Sequence, residues 1–195
     1  MIQLNSLHNV SITVDDIIIR TAKLSDVETI TNYYVKNRNH LEKWEPERDE
    51  NFFTIQGWSQ ILCKFDELSN SGSLVYFIIL DRQSSEMIGA ISFSNICRFP
   101  FHSCSLGYSL GEKAQGKGVM TKALTQSINY MFQVQNLHRI SAFYMPENSK
   151  SKAVLERLGF KSEGFAKDYL LINKKWEDHE LVSLLNPNWI KPQVR

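Results

Sequence analysis

The stretch that decides how this chain folds is GEKAQGKGVMT, residues 111–121. Residues 103–111 before it read as a strand. From about 117 to 134, Leu124, Ile128 and Met131 recur at i, i+4 and i+7, the spacing of one buried helical face. Gly116 and Gly118 let the backbone turn tightly, so that successive N–H groups converge on one point. The helix behind adds its unpaired donors and the positive end of its dipole. Strand, glycine turn and helix together make an anion site suited to a phosphate or pyrophosphate.

Residue chemistry narrows the choice of phosphate. From Gly111 the run fits GxxxxGK, but Gly118 stands where a P-loop needs Ser or Thr to hold Mg²⁺. From Gly116 it begins GxG, but Thr121 takes the place of the third glycine of a dinucleotide fingerprint, and the incoming strand reads as antiparallel. A nucleotide-dependent kinase or NTPase is therefore disfavoured. A glycine turn without a ligand is the plain alternative.

Working outward, residues 12–20 (ITVDDIIIR) read as one strand. Ser25 is placed as a helix N-cap with Glu28 three residues on, and Val27, Ile30, Tyr34 and Val35 form that helix's buried stripe. Residues 38–50, with Pro46, read as a loop. A second helix covers 53–69, with Ile55, Trp58, Ile61, Leu62 and Phe65 on one face and Gly72 closing it. Strands at 73–81, 86–95 and 103–111 form an antiparallel meander. After the 117–134 helix come a strand at 138–144, a short helix at 149–158 ended by Gly159, and strands at 164–172 and 176–185 around a turn at Asn173, Lys174 and Lys175. The expected fold is α/β (α+β): a mixed, largely antiparallel seven-stranded sheet flanked by helices, in one domain spanning 1–195 with its core at about 12–189.

Composition agrees with a globular domain: 195 residues, 43% hydrophobic and 22% charged, with 22 Lys+Arg against 21 Asp+Glu. So even a balance argues against direct DNA binding through overall charge. Cys63, Cys97 and Cys104 form no CxxC pair, so they read as reduced thiols and no metal is expected. The first residues show no basic region followed by an apolar run, and Val75–Leu80 is too short to span a bilayer, which points to a cytoplasmic protein without membrane contact.

Gln115-Gly-Lys-Gly118-Val-Met120 resembles the pyrophosphate loop, Gln/Arg-x-x-Gly-x-Gly/Ala, of the GCN5-related N-acetyltransferases, with Met120 replacing the last small residue. That position would contribute chiefly its backbone N–H. Asn148-Ser-Lys-Ser151, followed by a helix and Leu158-Gly-Phe160, is similar to the segment that flanks the thioester and pantetheine arm in the same family. Further segments look like those of the bacterial ribosomal-protein-alanine N-acetyltransferases. They include Trp44-Glu-Pro46, Phe93-Ser-Asn95, Leu106-Gly-Tyr-Ser109, Tyr144-Met-Pro146, Glu163-Gly-Phe-Ala-Lys-Asp-Tyr-Leu-Leu171 and Trp176-Glu-Asp-His179. The resemblance runs from about residue 12 to 189. It implies acetyl-CoA as cosubstrate, the N-terminal alanine of small-subunit ribosomal protein five as acceptor, and a ribosomal protein or the ribosome as partner. The oligomeric state, monomer or homodimer, stays open.

The resemblance also implies the site residues. Cofactor contacts fall to Tyr108, Ser109 and Leu110 on the strand, to Gln115, Gly116, Lys117, Gly118, Val119, Met120 and Thr121 in the loop, and to Asn148 and Ser151. Ser151 would donate to the departing thiolate, or simply cap its helix. Where some relatives carry a basic Glu on the strand at 164–172, this chain offers Leu170. Glu45, Glu47, Asp49 and Asp168 are the nearby acids, with Glu45 and Asp168 taken forward as bases. Transfer needs a neutral amine, and an α-amine (pKa about 8) loses its proton more readily than lysine (about 10.4). Backbone N–H groups in 106–110 could polarise the carbonyl, with Gly107 permitting a bulge there. Two other readings compete. One is an acetyltransferase for a polyamine or aminoglycoside, drawn by the acidic 42–50 stretch. The other is a non-catalytic CoA-binding ribosome-assembly module contacting RNA through Lys161, Lys167, Lys174 and Lys175.

Overall fold

A computed structural model describes residues 9–192; the ends of the expected 1–195 domain lie outside the described residues. Its strands are β1 (Ser11–Val14), β2 (Ile17–Thr21), β3 (Val75–Asp81), β4 (Met87–Cys97), β5 (Ser103–Leu110), β6 (Arg139–Tyr144), β7 (Lys161–Ile172) and β8 (Lys175–Leu185). The main helices are α1 (Val27–Leu41), α2 (Ile55–Asn70), α3 (Val119–Gln133) and α4 (Ser149–Arg157).

One sheet runs in the order β1-β2-β3-β4-β5-β6-β8-β7, antiparallel throughout except where β5 meets β6. Among the described residues it has eight strands, not seven. The extra one arises because 12–20 is a hairpin: Val14 pairs with Ile17 around the two-residue turn Asp15-Asp16, with Asp15 at φ +48. Asp tolerates the left-handed conformation that such tight hairpins need. At the other end Asn173 and Lys174, both at positive φ, make the β7–β8 turn, and Lys175 is already strand, paired with Ile172.

The layers follow from which strands are covered twice. β3 has Val75, Phe77, Ile78 and Ile79 fully buried, because helices lie on both its faces. On one face α3 and α4 pack Leu124, Ile128, Met131 and Leu155 against Ile17, Ile19, Phe77, Ile91, Leu106 and Ile140. On the other, α1 and α2 set Ile30, Tyr34, Trp58 and Leu62 over Ile78, Leu80 and Ala90. Each such side chain stabilises the fold by roughly 1.5–3 kcal/mol of apolar transfer.

Several local expectations are corrected. The reciprocal bonds at the entry to α1 come from Asp26, whose carboxylate accepts from Lys23 N–H at 2.8 Å, rather than from Ser25 and Glu28. Asp26 is also gripped by Arg20 at 2.6 and 2.7 Å, which fixes the carboxylate in place. Tyr33, not Val35, completes the buried face of α1, and Val35 is exposed. Residues 38–41, expected in a loop, are the last turn of α1. Ile55 is exposed at the start of α2, where Thr54 caps the helix by accepting from Gly57 N–H. Gly72 does terminate the segment after α2 at φ +75. Among the described residues no helix is long and apolar enough to cross a membrane.

Candidate active site

The feature that opens a site is the partial divorce of β5 from β6. Their parallel pairing covers only Ser103–Ser105 against Arg139–Ser141. Beyond it β5 stays with β4 to Leu110, while β6 stays with β8 to Tyr144. Sheet twist carries the two halves apart and leaves a cleft whose β5 wall presents backbone groups without a strand partner. Gly107 is not a bulge: it pairs in register with Ser92, and the irregularity in this pair of strands lies between Ser94 and Cys97.

β5 is clamped from both faces where the cleft opens. Ser109 Oγ lies 3.1 Å from the Tyr33 hydroxyl on α1, and the Tyr108 hydroxyl lies 2.8 Å from Ser151 Oγ on α4. Leu110 packs partly buried against the α3–α4 side. Burial pushes the Tyr33 hydroxyl well above its ordinary value. Burial likewise pushes Tyr108 up to about 12 against the opposing hydrogen bond from Ser151. Both therefore stay protonated at neutral pH.

The glycine loop has the geometry the sequence asks for. Gly116 and Gly118 sit at φ +75 and +73, exposed, and a Cβ built on either would meet nothing within 4 Å. That is an open cradle. Gly118 is the N-cap of α3, so the N–H groups of Val119, Met120 and Thr121 begin the helix without intrahelical acceptors. The side chains of Val119 and Met120 point into the core, leaving their backbone to face the loop. Lys117 is exposed beside it. A pyrophosphate fits this donor set.

The Gln115 side chain is already engaged. Its Oε1 accepts from Lys150 Nζ at 2.5 Å, and its Nε2 lies 2.8 Å from His40 Nε2. With the amide donating, neutral His40 carries its proton on Nδ1. Gln115 thus braces the loop between the end of α1 and the start of α4. Thr121 Oγ1 accepts from Arg157 at 3.2 Å, tying α3 to α4. Lys122 is held by Asp15 and Asp16 at 3.0 and 3.3 Å. At α4, Asn148 is the cap: its Oδ1 accepts from Ser151 N–H at 3.0 Å. Ser151 is therefore the residue being capped, and its hydroxyl is free to face Tyr108.

Of the acids, Glu45 lies in the α1–α2 loop, its side chain 21% exposed and 3.6 Å from Arg48. It lines an open pocket with Tyr34, Glu42, Pro46, Phe52 and Asn173. Burial raises its carboxyl above the usual range, with Arg48 pulling the other way, and its charge is felt by Tyr33, Tyr34 and Tyr76. Asp168 sits exposed at φ +47 in the irregularity of β7 between Ala166 and Leu170, its N–H donating to Asp178 Oδ1 at 2.9 Å. Glu47 pairs with Lys174 at 3.1 Å, and Asp49 Oδ1 caps the short turn at 50–53 by accepting from Phe52 N–H. His138 stacks edge-on to Trp189, and Arg139 pairs with Glu163, both away from the cleft opening. Tyr33, His40 and Lys150 were missed by sequence reasoning; Tyr33 and His40 contact partners about 75 positions away, and no local pattern marks them.

A split sheet, a glycine-rich anion cradle at the head of α3 and a hydroxyl pair at the head of α4 define a class: enzymes that seat a CoA thioester in the split and pass its acyl group to an amine. The chain belongs to the acetyltransferase (GNAT) domain family, which matches residues 16–161. It is 45% identical over 185 residues, 95% of each protein, to the [ribosomal protein uS5]-alanine N-acetyltransferase of Escherichia coli (strain K12). The ribosomal-protein-S5-alanine acetyltransferase of Vibrio fischeri shares its fold at a TM-score of 0.91 and 48% identity, over 94% of this chain and 100% of that one. Mycobacterium smegmatis RimJ, in complex with CoA-disulfide, superposes with a TM-score of 0.82 at 29% identity, over 87% and 81% of the two chains.

Proposed function

We propose that this enzyme transfers the acetyl group of acetyl-CoA to the α-amine of the N-terminal alanine of ribosomal protein uS5. The observation that carries the chemistry is the split between β5 and β6 with Ser151 and the α3 cradle on its rim. What supports the acceptor is identity of 45% across 95% of a relative so named. A ribosomal protein as partner supports a cytoplasmic location for the reaction.

The chain's residues divide the work as follows. The amides at Gly116–Thr121 take the pyrophosphate, with Lys117 supplying charge. Unpaired backbone N–H groups of β5 beyond Ser105 polarise the thioester carbonyl, and Ser151 Oγ–H donates to the sulfur as it leaves. Glu45 receives the proton of the amine, directly or through water. It is preferred to Asp168 because its raised carboxyl is the better base near neutral pH and because its charge is felt at Tyr33, which touches β5. Asp168 is exposed on β7.

Glu42, Glu45 and Glu47 in the lining of the Glu45 pocket, set against Arg38 and Arg48, keep a small polyamine as the second reading. A panel of acceptors decides: an alanine-starting peptide of uS5, the same peptide blocked at its N-terminus, a lysine peptide and spermidine. Free-thiol release and product mass should show acetylation of the unblocked peptide alone. Turnover with spermidine in its place would overturn the acceptor and leave the cofactor. Tight acetyl-CoA binding without turnover of any acceptor, with uS5 on intact small subunits included, would favour the binding module.

A further inference from the structure

Tyr108 enters the sequence reading only as part of the cofactor-facing strand, yet the fold gives its hydroxyl a neighbour of chemical consequence. Its Oη lies 2.8 Å from Ser151 Oγ and 3.2 Å from the Ser151 carbonyl oxygen. The ring comes from β5 where that strand leaves β6, and the serine from the first turn of α4, pinned there by Asn148. The pair can be arranged in two ways. In one, the phenol donates to the carbonyl and the serine O–H is occupied by Tyr108 Oη. In the other, the phenol donates to Ser151 Oγ and the serine O–H is released to point elsewhere. A hydroxyl that accepts one hydrogen bond donates a stronger one, so the second arrangement is the better donor. Rotation of two O–H bonds interconverts them.

The geometry points to Tyr108 as a positioning residue for the transfer, its hydroxyl turning the Ser151 Oγ–H onto the sulfur of the departing thiolate. This rests on the acetyl-transfer reading with Ser151 beside the thioester. As the C–S bond breaks, its electron pair stays on sulfur, which accepts the Ser151 hydrogen bond and takes its proton from water. The amine's proton leaves to Glu45 or water, and neither hydroxyl ends the step ionised. Burial, reinforced by Tyr144 and opposed by the Ser151 hydrogen bond, keeps Tyr108 protonated across the working range.

The test is a double-mutant cycle of Tyr108→Phe and Ser151→Ala, read in kcat and in KM for acetyl-CoA. Tyr108→Phe should lower kcat roughly tenfold, the size of one net hydrogen bond, with KM inside twofold. The double variant should be no slower than Ser151→Ala, because the tyrosine acts only through the serine. Independent, multiplying losses would overturn the proposal, as would a loss confined to KM. So would a wild-type kcat for Tyr108→Phe beside a slow Ser151→Ala. A wild-type kcat for Ser151→Ala would overturn the leaving-group reading beneath it. Should Tyr108→Phe melt early, difluorotyrosine at 108 keeps ring and hydroxyl while ionising at lower pH. An alkaline fall of kcat absent from the wild type should then enter the working range, with Tyr144, the titratable group across the cleft on β6, unchanged; a profile identical to wild type would overturn the proposal.

Discussion

Replacing Gly118 by valine isolates backbone conformation from steric fit. The residue sits at φ +73, ψ 3 as the N-cap of α3, and an added Cβ there meets no atom within 4 Å. Any penalty is therefore torsional. An L-residue held in the left-handed region costs about 1–2 kcal/mol, at the upper end for a β-branched side chain. That strain has two places to appear. If the loop keeps its shape, the protein loses about 1–2 kcal/mol of stability, or about 2–8 °C in Tm for a chain of this size. If the loop relaxes to negative φ, the amides of Val119–Thr121 no longer converge and acetyl-CoA affinity falls about 5–30-fold. Calorimetric titration with acetyl-CoA and a thermal melt on the same sample account for both. Gly118→Asn is the control, since asparagine tolerates this region, and should retain most of both quantities. A valine variant with Kd inside twofold and an unchanged Tm would refute the claim that the cradle depends on a left-handed residue at 118.

Glu45→Gln should reduce kcat by about 10²-fold or more and remove the acidic limb of the pH–rate profile. That limb lies above the usual carboxylate range in the wild type, because burial raises the Glu45 carboxyl and only the ionised form is a base. A limb that survives Glu45→Gln would reject this base. Asp168→Asn should change kcat less than twofold, measured in the same assay. Asp26→Asn should cost roughly 2 kcal/mol, about 4–8 °C in Tm. Burial opposes the charge on Asp26, but Arg20 and the Lys23 N–H outweigh it and hold the carboxyl below its ordinary value. The stability from this group is thus complete above the unfolded carboxylate pKa and lost as pH falls through the lower folded one. An acid melt of the variant should lack that component, and an unchanged acid transition would refute the assignment.

Local chemistry made most of the fold legible. The helical spacing of Leu124, Ile128 and Met131, the β-branched runs and the terminating glycines at 72 and 159 act over a few residues, so the string alone discloses them. The same holds for the cradle, because Gly116 and Gly118 are needed at left-handed backbone wherever the rest of the chain goes. The sequence failed where two local signals competed. Asp15-Asp16 lay inside an apolar run and were absorbed into one strand, although that pair is what turns the chain. Ser25 and Glu28 had the spacing of a capping box, but Asp26 took the role because Arg20 and Lys23 N–H converge on its carboxylate.

What the sequence determined by itself was therefore the main helices, the strands after the first hairpin, the glycine turn at the head of α3 and, through resemblance, the family. What only the tertiary structure decided was how the hydroxyls and the braces meet. Tyr33 with Ser109, Tyr108 with Ser151, and Gln115 with His40 and Lys150 are separated by 76, 43, 75 and 35 positions. None has a spacing rule, because nothing in the local backbone relates residues so far apart. They come together because β5 leaves β6 after Ser105 while α1 and α4 close on β5 from opposite faces. That separation is set by the twist of two half-sheets and the helices packed on them, a property of the assembled layers rather than of any one segment.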